Sequence, residues 1–295
     1  MPEITAEVLR GFVDSTTEGI AGNEEYYKNF LTWAGRFYNY RDPTNPQNPN
    51  TGYSIANQIL IYSQDPKSRL CYTEEIWNKI GITVYNKEKP IYIIQHVSDN
   101  NYQPLMVYDI AHTNAEQYRD VTGKDIPSMC EAIIISSPCP IRFVKKLPNG
   151  KILLSEEGTM IQATNGLRNY EQMFMMLSGE MAHKYFYDYL KSISTEEKFD
   201  YRRGVHLYEA YSASFMVCSS MYLPVADLFN ISQNAKWKGR SVSDLRYIRT
   251  SINMIVSAGR NIINNVTQEL YNQKTAVYAD YLYPDNENQI ESEVT

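Results

Sequence analysis

Long amphipathic stretches and separately grouped strand patterns make this 295-residue sequence an α+β chain. Apolar residues recur at three- and four-residue spacing in residues 5–40, 167–190, 207–222 and 241–271, the period of helices with one face on a core. Strand-like runs gather at 90–96 and 105–110 and again between 140 and 164, instead of alternating singly with helices. The length suits one large domain or two ordinary ones.

Composition narrows the function classes. The chain is 43% hydrophobic and 21% charged, as a globular protein is. A formal net charge of −6 and a pI near 5.4 provide no general attraction to nucleic acid or to an anionic membrane. Tyrosine is abundant, 25 residues, which suits a recognition surface, although AT-rich coding or ordinary core filling explains it more simply. Cysteines 71, 130, 139 and 218 show no C-x-x-C spacing and read as reduced thiols of a cytoplasmic protein in a bacterial host cell. The first residues lack the basic and apolar regions of a signal peptide. The uncharged stretch from Ala210 to Ala226 is rich in Ser and Tyr and contains Pro224, so it reads as a buried helix and not a membrane span.

In chain order, residues 5–40 read as helical, with Leu9, Phe12 and Val13 on one face followed by an aromatic cluster from Tyr26 to Tyr38. Three prolines and Gly52 make residues 41–52 a loop. Tyr53 to Ser63 resumes as a helix with Ser54 as N-cap, and Thr73 caps a shorter helix that Gly81 stops. Pro90–His96 and Leu105–Ile110 form a hairpin across Asp99–Asn101.

These parts, in this order, resemble the N-terminal domain of the ArdC family of antirestriction proteins. The matching residues are Tyr53-Ser54-x-x-Asn57-x-x-Leu60, then Trp77-x-x-x-Gly81, then Lys87-Glu88-Lys89-Pro90-Ile91. The last piece is Val107-Tyr108-Asp109-Ile110-Ala111-His112-Thr113, where the family has a strand like V-F-D-I-S-Q-T. The likeness covers about 70 residues in four short pieces. It implies a first domain over residues 1–125 that binds single-stranded DNA without strong sequence preference. A single-strand groove needs cations along the backbone and aromatic faces under the bases. Lys67, Arg69, Lys79, Lys87 and Lys89 offer the charge, and Tyr53, Trp77, Tyr85 and Tyr92 the faces, with Asn57 in the motif. The same aromatics also read as core and the lysines as a solvated face. Residues 1–125 carry 11 basic against 16 acidic residues, which leaves little for counterion release.

Thr113–Ser128 reads as a linker or peripheral segment, leading into a second domain over residues 126–280. There Ala132–Ser136 reads as a buried strand, Pro140–Lys146 and Lys151–Ser155 as a hairpin turning at Asn149-Gly150, and Thr159–Thr164 as a strand edging a cleft. The helix of residues 167–190, with Phe174, Leu177, Met181 and Tyr185 as its stripe, contains Gly179-Glu180-x-x-His183. A zincin helix carries H-E-x-x-H, because residues four apart grip one metal while the Glu acts as general base for its water. Gly179 stands where the first ligand belongs, so the motif is degenerate. Glu180 is a vestigial general-base position, and His183 with Glu209, 26 residues on, are vestigial ligand positions. His206 is either a substitute ligand or an ordinary surface side chain. ArdC-type proteins also carry a zincin-like domain after the DNA-binding one, with a small sheet and several core helices, which extends the resemblance.

No cofactor is expected, with zinc at low occupancy as the exception. Two buried carboxylates without a cation raise at least one pKa unless a protonated His183 pairs with them. Lys236 to Arg249 is the most basic window, and residues 281–295 form an acidic, flexible tail. The resulting expectation is a phage or mobile-element antirestriction protein that binds single-stranded DNA, with an inactive zincin-like domain. The alternatives are an inhibitor that covers a host defence nuclease by direct contact and, behind it, an active zinc peptidase. No membrane partner is expected; self-association stays open.

Overall fold

The computed structural model describes residues 4–39, 52–98, 101–115, 119–147, 152–164, 169–195, 199–224 and 244–279. Most of the proline-rich loop, the tips of both expected hairpins, the basic window before Asp244 and the acidic tail lie outside the described residues. The chain divides into two compact units, Met1–Tyr118 with Asn230–Val256 and Arg119–Phe229 with Ser257–Thr295. Both mix helices with small sheets in an α+β arrangement. Among the described residues, no helix is long and apolar enough to cross a membrane.

In the first unit the helical stretch at 5–40 is two helices, α1 (Ala6–Gly22) and α2 (Glu24–Arg36). Asn23 separates them: its backbone is extended, its N–H closes α1 on Gly19 O, and its Oδ1 accepts from Tyr26 N at 2.9 Å to open α2. Helix α3 (Ile55–Gln64) starts on Ser54 and α4 (Glu74–Lys79) on Thr73, as their hydroxyls dictate. Gly81, at φ +80°, ends the second of these in the left-handed region. Strands β1 (Cys71–Tyr72), β2 (Ile91–Ser98) and β3 (Asn101–Asp109) form an antiparallel sheet in the order β1-β3-β2. Leu9, Ile20, Tyr27, Phe30, Ile59, Leu60 and Ile61 are buried between these elements. Complete burial of each such side chain stabilises the fold by about 1.5–3 kcal/mol.

The outer edge of β2 is closed by side chains of α3. Asn57 accepts from Ile94 N and donates to Ile94 O, both at 2.9 Å. Gln64, two turns later on the same helix face, does the same to Tyr92 at 2.9 and 2.8 Å. Each amide imitates a neighbouring strand, so an edge that could pair with another chain is occupied. Asp109 is a second organiser. Buried at the end of β3, it accepts backbone N–H groups of Arg69, Leu70 and Ala111.

In the second unit β4 (Val121–Gly123) pairs antiparallel with β8 (Ala276–Tyr278), and Thr113–Ser128 is therefore more than a linker. Residues 132–136 are not a strand: they end helix α5 (Ile126–Ile135). Asp125 Oδ1 caps α5 through Ser128 N at 2.7 Å, and Pro127 sits in its first turn, where no N–H is missed. A short apolar run does not distinguish buried helix from buried strand; here Ile133 is buried and Ile135 exposed, a helical alternation.

Strands β5 (Ile141–Val144), β6 (Ile152–Leu154) and β7 (Ile161–Thr164) form one sheet, but in the order β5-β7-β6. The expected β5–β6 hairpin is replaced by β7 between them, parallel to β5 and antiparallel to β6. Helices α6 (Tyr170–Ile193), α7 (Leu207–Ser220) and the later part of α8 (Leu245–Asn272) complete the unit. All four cysteines are buried and form no disulfide, and burial pushes Cys130 and Cys218 up to about 12.

Candidate functional site

Helix α6 is capped by Asn169, whose Oδ1 accepts from Gln172 N at 2.9 Å. Phe174, Leu177 and Met181 are buried as the spacing requires, and Phe186, instead of Tyr185, completes the stripe. Small side chains let α6 and α7 approach. Ser178 Oγ lies 2.8 Å from Ser214 Oγ, which in turn donates to Met175 O at 2.7 Å. A Cβ built on Gly179 would touch only Ser214 Cβ, at 3.9 Å, so Gly179 lies towards this crossing.

Glu180 and His183 are buried, at 6% and 1% exposure, and each is held by a residue that sequence reading did not identify. Glu180 Oε2 accepts the backbone N–H of Leu154 at 2.8 Å, so β6 rather than β7 borders the site. Glu180 Oε1 pairs with the guanidinium of Arg203. Burial raises the Glu180 pKa, opposed by Arg203 and by the Leu154 N–H. His183 Nδ1 lies 2.6 Å from the hydroxyl of Tyr201. Burial, with Arg203 and His206 acting in the same direction, lowers the His183 pKa to about 3. His183 is thus neutral near pH 7, and the cation beside Glu180 is Arg203. Of the two outcomes open to the buried carboxylates, a raised pKa at Glu180 and not a protonated His183 is the one found.

Tyr201 is the centre of the cluster. Its ring stacks on His206 at 5.4 Å and meets Tyr187 edge-on at 5.5 Å, while His206 lies 6.2 Å from Phe186. His206 is therefore half-buried among aromatic rings, not a lone surface side chain. Glu209 is buried in the first turn of α7, and its charge, with that of Glu180, acts on the Tyr201 hydroxyl. Burial is the main cause that raises the Tyr201 pKa.

The donors do not fit a divalent metal as a zincin helix would hold one. Gly179 has no side chain to ligate, and Arg203 sits on Glu180. Among the described residues, no three His, Cys, Asp or Glu side chains come together as a ligand group. Tyr201 and Arg203 escaped sequence reading because no spacing rule links them to α6; their one signal was proximity in sequence to Glu209.

The residues expected to contact DNA scatter in the first unit. Tyr53 and Trp77 are core side chains: Tyr53 OH donates to Cys71 O at 2.7 Å, and Trp77 Nε1 to Tyr108 O at 2.9 Å. Their faces are closed to a stacking base. Asn57 is committed to the β2 edge. Lys67 and Lys89 are exposed and Arg69 is half-buried. Lys79 pairs with Glu75 at 2.7 Å, and Lys87, in an exposed turn, pairs with Glu74 at 2.5 Å. Arg249, at the end of the basic window, is paired with Asp14 at 2.6 Å. Tyr85 is exposed, and its hydroxyl donates to Ala111 O.

The β2–β3 register brings another set together. Ile91, Ile93 and Val107 face the core, so the alternate residues face outward: Tyr92 opposite Met106, Ile94 opposite Pro104, His96 opposite Tyr102. The His96 and Tyr102 rings are 5.1 Å apart, and the Arg10 guanidinium lies 4.7 Å from the Tyr102 ring.

No protein-family model and no curated protein matches the sequence. Solved structures do match. The Mn(II)-bound crystal structure of the antirestriction protein ArdC from plasmid R388 is 13% identical, with a TM-score of 0.52 over 88% of this chain and 98% of that one. The metal-free structure of the same protein is 15% identical, with a TM-score of 0.46 over 89% of this chain and 97% of that one. Across nearly the whole length of that protein, this chain has the fold of the antirestriction protein ArdC.

Proposed function

We propose that this protein is an antirestriction or anti-defence factor of the ArdC type, carried by a phage or mobile element and acting in the bacterial cytoplasm. It works by binding, not by peptide hydrolysis. The observation that carries this reading is the state of Glu180, whose two carboxylate oxygens are taken by Leu154 N–H and Arg203. Each oxygen keeps a further lone pair, but the Arg203 cation opposes both proton uptake by this carboxylate and a second cation beside it. ArdC has a Mn(II)-bound form; here Gly179 and Arg203 argue that no resident metal does chemistry and that any zinc is sub-stoichiometric. The zincin-like domain is then a pseudoenzyme that keeps the architecture of its site.

Single-stranded DNA is the ligand we assign to the first unit. The aromatic and apolar outward face of β2–β3, with Arg10 beside Tyr102, supports stacking without sequence preference. The exposed turn of Lys87 and Lys89 supplies further cations. A second reading, a protein that blocks a host defence nuclease complex by contact, is favoured by the net charge of −6 and by the carboxylates on Lys79 and Lys87. Fluorescence anisotropy of a labelled, unstructured oligonucleotide at low and then high salt decides. Salt-sensitive binding supports the DNA reading, and no binding at low salt leaves the protein-contact reading.

A further inference from the structure

One short segment meets both donors of α6. Tyr201 and Arg203 lie two residues apart just ahead of α7; the first holds His183 Nδ1 at 2.6 Å and the second holds Glu180 Oε1. The segment is packed in place, since His206 stacks on the Tyr201 ring and Tyr187 meets that ring edge-on. The Arg203 side chain is 34% exposed and the Glu180 side chain 7%, so the pair has its carboxylate buried and its cation partly in solvent. A buried carboxylate needs a counter-charge, and in an H-E-x-x-H site the metal is the dominant local cation. Here the chain supplies that charge itself.

We infer that Arg203 is a resident plug that holds Glu180 in place of a divalent cation, on a segment that Tyr201 fixes to His183. The missing imidazole at Gly179 is then only half of the reason this site differs from a metal centre. Restoring the imidazole does not restore metal binding until the plug is withdrawn. The inference rests on reading the α6–α7 pair as a vestigial zincin centre.

Zinc titration by calorimetry tests it on full-length protein. The variants are Gly179→His alone and Gly179→His with Arg203→Ala and Glu180→Gln. Removing both partners of the ion pair avoids leaving a bare buried charge, and the glutamine can still accept from Leu154 N–H. Circular dichroism and the thermal midpoint establish that each variant is folded. The expected result is weak or no zinc binding by wild type and Gly179→His, and binding about tenfold or more tighter by the triple variant. Equal affinity of the single and triple variants overturns the plug and leaves the vestigial-site reading standing, whereas stoichiometric zinc on wild type overturns both. Absence of binding by a folded triple variant overturns the vestigial-site reading and the plug with it.

Discussion

The hydroxyl of Tyr201 lies 2.6 Å from Nδ1 of His183, and both groups are neutral near pH 7. The bond joins α6 to the segment that leads into α7 and leaves the buried imidazole with a partner. Its loss has a cost that stability measurements can read. Tyr201→Phe keeps the ring stack on His206 but removes the hydroxyl, so unfolding free energy falls by about 1–3 kcal/mol. An unchanged denaturation midpoint would mean that the bond does not form in solution.

The same imidazole sets a pH dependence. With a folded pKa of about 3, well below its ordinary 6.5, His183 is protonated more readily in the unfolded chain. Its contribution to stability is complete above pH 6.5 and is lost as pH falls towards 3. Glu180 acts with the opposite sign: its raised pKa costs stability as pH climbs past 4.5. Denaturant unfolding between pH 7 and 4.5 reads the sum, and His183→Asn removes the histidine part. A wild-type slope identical to that of His183→Asn would refute the depressed titration.

Glycines 179 and 158 respond oppositely to alanine. Gly179 is mid-helix with room for a Cβ, so Gly179→Ala stabilises by about 0.5–1 kcal/mol. Gly158 sits at φ +63° with a Cβ position only 2.7 Å from the Tyr187 ring, so Gly158→Ala destabilises by about 1–3 kcal/mol. Parallel urea melts give both signs; destabilisation by Gly179→Ala would show that the α6–α7 crossing has no space.

The β2 edge provides a local test. Asn57→Ala removes the two bonds to Ile94 and costs about 1–2 kcal/mol, with faster amide exchange at Ile94 than at Tyr92, which Gln64 still holds. Uniform exchange at both positions would show that the two side chains do not act separately.

For DNA binding, Tyr102→Ala and the pair Lys87→Glu with Lys89→Glu each weaken oligonucleotide anisotropy without shifting the melting temperature, because these side chains are exposed. Binding unaffected by either change removes the hairpin face and its neighbouring turn as the DNA surface.

Caps were readable in the sequence by itself. Ser54, Thr73 and the Ser54-x-x-Asn57 spacing act within three residues, so the chain around them settles helix starts without tertiary help. The periodicity of residues 167–190 and 207–222 was equally local, and it placed Glu180, His183 and Glu209 on the right helices. Tertiary structure decided the rest. The run at 132–136 is ambiguous between strand and helix until Asp125 caps it and its neighbours bury one side. The insertion of β7 between β5 and β6 is a pairing choice between distant segments, which a favourable Asn-Gly turn cannot reveal. Tyr53 and Trp77 had two sequence readings, and burial chose the core. Arg203 reaches Glu180 across 23 residues and Tyr201 reaches His183 across 18, pairings that no periodicity encodes. A side chain's type is written in the sequence, but the partner that neutralises a buried charge is whichever group the packed backbone brings within reach.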